Sequence, residues 1–109
     1  MHMMKTEQRE WLGDTRFKWR TVTIDVRLIE LPKISDRTGR VRQLAIHESL
    51  QYSDRFTVSD YGTGRAIGHG GTRAKAIENA TQRVSEYGME AYMRNVEKSE
   101  ILNSEVARL

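Results

Sequence analysis

From Thr21 to Leu28 the chain alternates strictly. Val22, Ile24, Val26 and Leu28 fall on one side of an extended segment, and Thr21, Thr23, Asp25 and Arg27 fall on the other. A two-residue period belongs to a strand with one buried face; a helix repeats every 3.6 residues and would scatter these side chains around its axis. Pro32 has no N–H to give to a ladder, so the strand is expected to stop there.

The residues beyond Pro32 keep the same texture. Ser35-Asp36-Arg37-Thr38-Gly39 is turn chemistry. In the next run Leu44, Ile46, Leu50 and Tyr52 share one face, interrupted by Glu48, and Gln43, Ala45, His47, Ser49 and Gln51 take the other. Ser53-Asp54 breaks that run. Phe56 and Val58 share a face of a third short strand, Arg55 to Tyr61. Past Gly62-Thr63-Gly64, a fourth begins at Arg65-Ala66-Ile67. Connections this short permit only antiparallel neighbours, because a parallel crossover needs a dozen residues or more.

After Gly70-Gly71 the period changes to that of a helix. Thr72 is the natural N-cap, Ala76, Ile77, Ala80, Val84 and Tyr87 recur at three- and four-residue spacing, and Gly88 suits the terminating position. Met89, Tyr92, Met93 and Val96 mark a second helix. Ahead of the strands, residues 5–19 carry Trp11, Phe17 and Trp19 among charges, with Gly13-Asp14 opposing a continuous helix. They read as a short helical turn or an extended arm.

The expected architecture is therefore α+β in one domain of 109 residues. Residues 1–19 form the arm or short helix, and residues 20–70 an antiparallel meander of three to four strands. Residues 72–98 form the helices, one packed on a face of the sheet and the second C-terminal. Residues 99–109 extend that helix or fray as a tail.

Composition removes whole classes of function. There is no cysteine, which excludes disulfides, thiolate zinc sites and cysteine nucleophiles. No apolar run approaches the roughly 20 residues that span a bilayer. The opening Met1-His2-Met3-Met4-Lys5 lacks the apolar centre of a secretory signal; His2-Met3 reads as a cloning remnant, with the natural start at Met3 or Met4. A cytoplasmic location without membrane contact is the expectation. Residues 1–75 hold 14 Lys and Arg against 9 Asp and Glu, whereas residues 76–109 hold 4 against 6. The basic charge thus gathers on the sheet-forming part, the distribution an anionic partner would meet.

Candidate chemistry is sparse. His47 falls on the polar face of its strand as an exposed residue, with Glu48 pointing the other way, so no metal triad forms locally. Asp25, Asp36, Asp54 and Asp60 read as turn formers or polar-face residues. Ser49, Ser53 and Ser59 lack a nucleophile-elbow context. No enzyme and no cofactor is expected. Gly68-His69-Gly70-Gly71-Thr72 suits an anion at a helix N-terminus, flanked by Arg65, Arg73 and Lys75, although it matches no Walker A spacing. A tight strand-to-helix connection is the plainer explanation of its glycines.

The segment from Phe56-Thr57-Val58-Ser59 through Gly70, Thr72, Ala76, Ile77, Asn79 and Ala80 resembles the strand-to-helix half of HicB-like antitoxin domains. Those domains neutralise an RNA-cleaving toxin and bind their own operator. Gly68, Gly70, Thr72, Arg73, Ala76 and Ala80 also resemble the last strand and helix of double-stranded-RNA-binding domains, where cations at the helix start meet phosphates. Each resemblance covers about a third of the chain, and Lys75 stands where the first family has an acidic residue.

Two functions are expected from these features. One is a nucleic-acid-binding module, contacting DNA or RNA through Arg65, His69, Arg73 and Lys75 at the helix start, through the loop cations Arg37, Arg40 and Arg42, and through the basic-aromatic arm Arg16-Phe17-Lys18-Trp19-Arg20, with Trp19 itself read as a core residue. The other is a protein-binding regulator or inhibitor, such as an antitoxin or a phage-encoded blocker of a host nucleic-acid-processing or defence complex (an anti-CRISPR), using a strand edge or the Met89/Tyr92/Met93 stripe. A homodimer through the C-terminal helices is compatible with either.

Overall fold

The structure, a computed structural model, describes residues 2–35, 39–50 and 53–103. Five strands, β1 (His2–Trp11), β2 (Phe17–Ser35), β3 (Val41–Glu48), β4 (Phe56–Asp60) and β5 (Ala66–Gly70), precede two helices, α1 (Arg73–Tyr87) and α2 (Met89–Lys98). The strands pair in chain order as an antiparallel meander. The α+β class is as expected, but there are five strands where the sequence led us to expect three to four.

The additional strand comes from residues 2–11, which are extended and paired in a ladder rather than coiled into a helical turn. β1 pairs with β2 from His2↔Val26 to Trp11↔Phe17, and Leu12 N donates to Arg16 O across the turn. β2 is longer than its sequence suggests, because Pro32 does not end it. The ladder with β3 instead shifts between Glu30 and Ser35, and the strand continues past the proline through this irregularity. β2 also divides its partners. Residues up to Val26 pair with β1, and residues from Arg27 onward pair with β3. Its first half therefore leaves the main sheet in company with β1, as a two-stranded hairpin.

Each sheet face carries its own core. Ile34, Leu44, Ile46, Val58 and Ile67 pack against Ala76, Ala80 and Val84 of α1. On the opposite face Met4, Val26, Leu28 and Ala45 seat the base of the hairpin, with Ile24 and Tyr61 beside them. Thr72 caps α1 by accepting from Lys75 N, and Gly88 closes it with φ 83° and an N–H bond to Val84 O. α2 turns its apolar stripe inward: Met93 and Val96 are buried, and Met89 and Tyr92 pack on the first core. The Met89/Tyr92/Met93 stripe thus packs inward, with Met93 buried and Met89 and Tyr92 half-buried.

The glycines of β5 set how close α1 can lie. A Cβ on Gly68 would stand 2.6 Å from Ala80 N, and one on Gly70 would stand 2.5 Å from Ala76 N. The helix rests with its alanines on bare backbone, and the connection needs no anion to explain its composition.

Asp60 ties the remaining pieces together. Its side chain is buried, not a solvated polar-face residue. Arg42 Nε donates to Oδ1 at 2.6 Å and Nη2 to Oδ2 at 3.2 Å, while Thr63 donates to Oδ2 through both N and Oγ1 at 3.0 and 2.9 Å. Tyr92 Oη adds a bond to Oδ1 at 3.1 Å. Among the described residues no buried side-chain polar atom lacks a partner.

Two substitutions test this account. Gly68→Ala should cost about 1–3 kcal/mol, the usual scale of overpacking, read as a lower urea midpoint with an unchanged slope. Asp60→Ala should cost about 3–5 kcal/mol, as for other buried pairs that lose one partner, with Arg42, Thr63 and Tyr92 all left without their acceptor.

Candidate functional site

The hairpin is anchored at its base and bare at its tip. Every residue from Trp11 to Thr21 is exposed. Trp19, at 55% exposure, is no core residue, and Trp11, Leu12 and Phe17 are exposed with it. Antiparallel pairing explains the grouping. Arg9 lies opposite Trp19 and Trp11 opposite Phe17, so all four side chains leave the same face. Trp11 and Phe17 lie 5.4 Å apart at 59°, and Phe17 meets Trp19 edge-on at 5.5 Å. The Arg9 guanidinium stands 5.0 Å from the Phe17 ring centre and 5.6 Å from that of Trp19. These contacts hold an aromatic ladder in place with little help from the core.

The cations of the arm are displayed on the hairpin's other side. Lys18 lies opposite Glu10, to which it forms an exposed ion pair at 3.7 Å, and Arg20 lies opposite Gln8. Arg16 occupies the exposed turn. The interleaving seen in sequence becomes two faces in space, aromatic and basic. Arg9 is the cation that the sequence reading missed. Its signal was its register with Trp19 about the Gly13-Asp14 turn.

The cations near the helix start are dispersed. Arg73 stacks on Phe56 at 4.5 Å, Lys75 pairs with Glu78 at 3.4 Å, and Arg65 donates to Ser99 Oγ at 3.0 Å. His69 is separated from Arg73 and Lys75, since its side chain lies on the sheet face opposite α1, where Thr57 Oγ1 and His69 Nδ1 share a 2.9 Å hydrogen bond. Among the loop cations, Arg40 is exposed just before β3, and Arg42 is not a loop cation at all, being committed to Asp60 within β3. Arg37 lies outside the described residues.

Behind the hairpin is a cleft of about 490 Å³ with a mixed polar and apolar lining. Register builds its floor: His47 is opposite Thr57, and Thr57 is opposite His69, a row across three strands. Ser59 lies next in β4, while Thr6 and Trp19 contribute from the hairpin. His47 is buried, in contrast to its expected exposure. Its Nδ1 is 2.8 Å from Glu48 O, which can only accept, so Nδ1 carries the hydrogen. In the neutral ring Nε2 then accepts from the Ser59 hydroxyl at 2.9 Å. The hairpin wall is held by Thr6 Oγ1 donating to Gly64 O at 2.6 Å. Gly64, with φ 71°, lies so near β1 that a Cβ would stand 2.5 Å from Lys5 O. Among the described residues no three His, Cys, Asp or Glu side chains cluster to hold a metal, and no helix is long and apolar enough to cross a membrane.

Comparisons with protein-family models, characterised proteins and solved structures return no match, so the site is read from its own geometry.

Both floor histidines resist protonation. Burial lowers the His47 pKa, against the bond to Glu48 O that favours charge, and nearby His69 lowers it further. Burial also lowers His69, with the charges of Arg83 and Arg55 adding to the effect. An unfolded histidine binds its proton near pH 6.5, whereas these two bind it only at lower pH. The stability they contribute is whole above about pH 6.5 and is lost as pH falls through the depressed folded values. The melting temperature should hold steady above neutrality and fall between about pH 6.5 and 5, before carboxylates titrate. His69→Gln should flatten part of that fall in thermal melts.

Proposed function

We propose that this protein is a nucleic-acid-binding module whose principal contact is the β1–β2 hairpin, with single-stranded DNA or RNA as its partner. The observation that carries this reading is the ladder of Trp11, Phe17 and Trp19 held by Arg9 on an exposed tip. Water contact leaves the hydrophobic stabilisation of these rings unrealised, about 1.5–3 kcal/mol for a large apolar side chain. A stacking base recovers it, and every base has a π-face to offer. Arg16, Lys18 and Arg20 supply the charge for phosphates on the other side of the same two strands. The helix start, with Arg73 and Lys75, is a secondary contact in this reading, suggested by the resemblance to double-stranded-RNA-binding domains.

A regulator or inhibitor that binds a protein would draw on the same tip, since Trp and Arg dominate protein hot spots. Salt and nuclease separate the two. Fluorescence anisotropy with labelled single strands should show log K falling linearly with log salt, by roughly 0.7 per phosphate contact. Trp19→Ala should weaken binding by about 1–3 kcal/mol, the scale of one stacked base, with little change in that slope. Arg16→Ala with Lys18→Ala should flatten the slope. Affinity that ignores both salt and Trp19, together with a protein partner retained from nuclease-treated lysate, would establish the inhibitor reading instead.

A further inference from the structure

Resting on the proposed nucleic-acid function, we infer that the cleft between the hairpin and the sheet is a base pocket: it receives one unstacked nucleobase, with its sugar, from the strand that lies along the hairpin. Trp19 joins the two regions. It is the inner member of the aromatic ladder, in edge contact with Phe17, and it also lines the cleft. A strand stacked on the ladder therefore has the cleft beside its next base.

The chemistry of the cleft selects among ligands. Its volume of about 490 Å³ lies within the range of small-molecule sites. Its floor is uncharged, built from the hydroxyls of Thr57 and Ser59 and the rings of His47 and His69. A phosphate in that position would lose its hydration shell without gaining a cation on the floor. On the rim Glu7 opposes Arg65, whose guanidinium donates to Ser99 Oγ, so the two charges together offer a phosphate no net attraction. A metal ion would find two imidazoles already engaged with Thr57, Ser59 and Glu48. A base needs what is present: an aromatic wall, and a row of neutral donors and acceptors for its edge.

The row is also preorganised. Its residues sit on three paired strands, and Ser59 donates to His47 Nε2, which fixes the direction of that hydroxyl and turns its lone pairs to other donors. An amino or imino N–H on a base edge is a donor of that kind. Base selectivity would accordingly arise in the cleft, while the hairpin stacks and tracks the backbone without discriminating.

Photocrosslinking tests this directly on the intact protein. A single strand carrying 5-iodouracil at each position in turn is irradiated in complex, and adducts are mapped by mass spectrometry beside anisotropy on the same strands. Adducts on Trp19 and on a floor histidine, His47 or His69, are expected from one register of the strand. Thr57→Val and Ser59→Ala should each weaken the preferred homopolymer about five- to tenfold, the scale of one or two hydrogen bonds, and should level the differences among homopolymers without changing the salt slope. Binding with adducts confined to Trp11 and Phe17, or with no adducts, would overturn the pocket and leave the hairpin reading standing. Absence of any binding by anisotropy would overturn both. If either floor variant fails to fold, the crosslink map of the unaltered protein still decides.

Discussion

A single buried carboxylate organises the half of the molecule on which the candidate site depends. Removing a charge from water costs several kcal/mol unless its hydrogen bonds are replaced, and Asp60 has them replaced from three directions. Arg42 on β3 meets it in a two-point pair, Thr63 folds the β4–β5 turn back onto it, and Tyr92 brings α2 to it. The turn so fixed presents Gly64, and the bare backbone of Gly64 is the seat on which Thr6 of the hairpin rests. One of the bonds that position the hairpin wall over the cleft is thus traceable to the placement of one negative charge.

Rigidity and exposure are divided along the same two strands. The base of the hairpin is held by Met4, Val26 and Leu28 in a core of its own, and its outer end has no core at all. In a chain this short, apolar area is scarce, and three large rings withheld from burial are a substantial share of what folding could have used. The ladder compensates locally through ring–ring and Arg9–ring contacts, which order the side chains before any partner arrives. Less conformational entropy then remains to be lost on binding.

Much of the fold was legible because it derives from period and punctuation. The alternation of Val22 to Leu28 marked the middle of β2, Thr72 and Gly88 bracketed α1, and the short connections dictated an antiparallel meander. The β1 strand was hidden because its inward positions are Met4, Thr6 and Gln8, too few of them apolar to show a period of two, and because its partner lay across a turn marked only by Gly13-Asp14. Pro32 misled because a bulge can carry a strand past a missing donor. The site residues failed for a related reason. A strand residue's role depends on what its neighbours across the ladder are, so His47, Ser59 and Asp60 looked like ordinary polar positions until Thr57, His69 and Arg42 were set beside them. Arg42 in turn looked like a free cation only because its partner is 18 residues away.

One contact spans almost the entire chain. The Asn103 side chain accepts from Lys5 N and donates to the carbonyls of Lys5 and Tyr61, with Lys5 and Asn103 separated by 98 positions. During synthesis the hairpin leaves the ribosome before both helices, and Asn103, which bonds its base to the sheet, follows them. The aromatic tip is therefore present on the nascent chain before the segment that completes the contacts at its base. A contact this non-local, with the loop-closure entropy it costs, thus lies at the strand that carries the proposed contact surface.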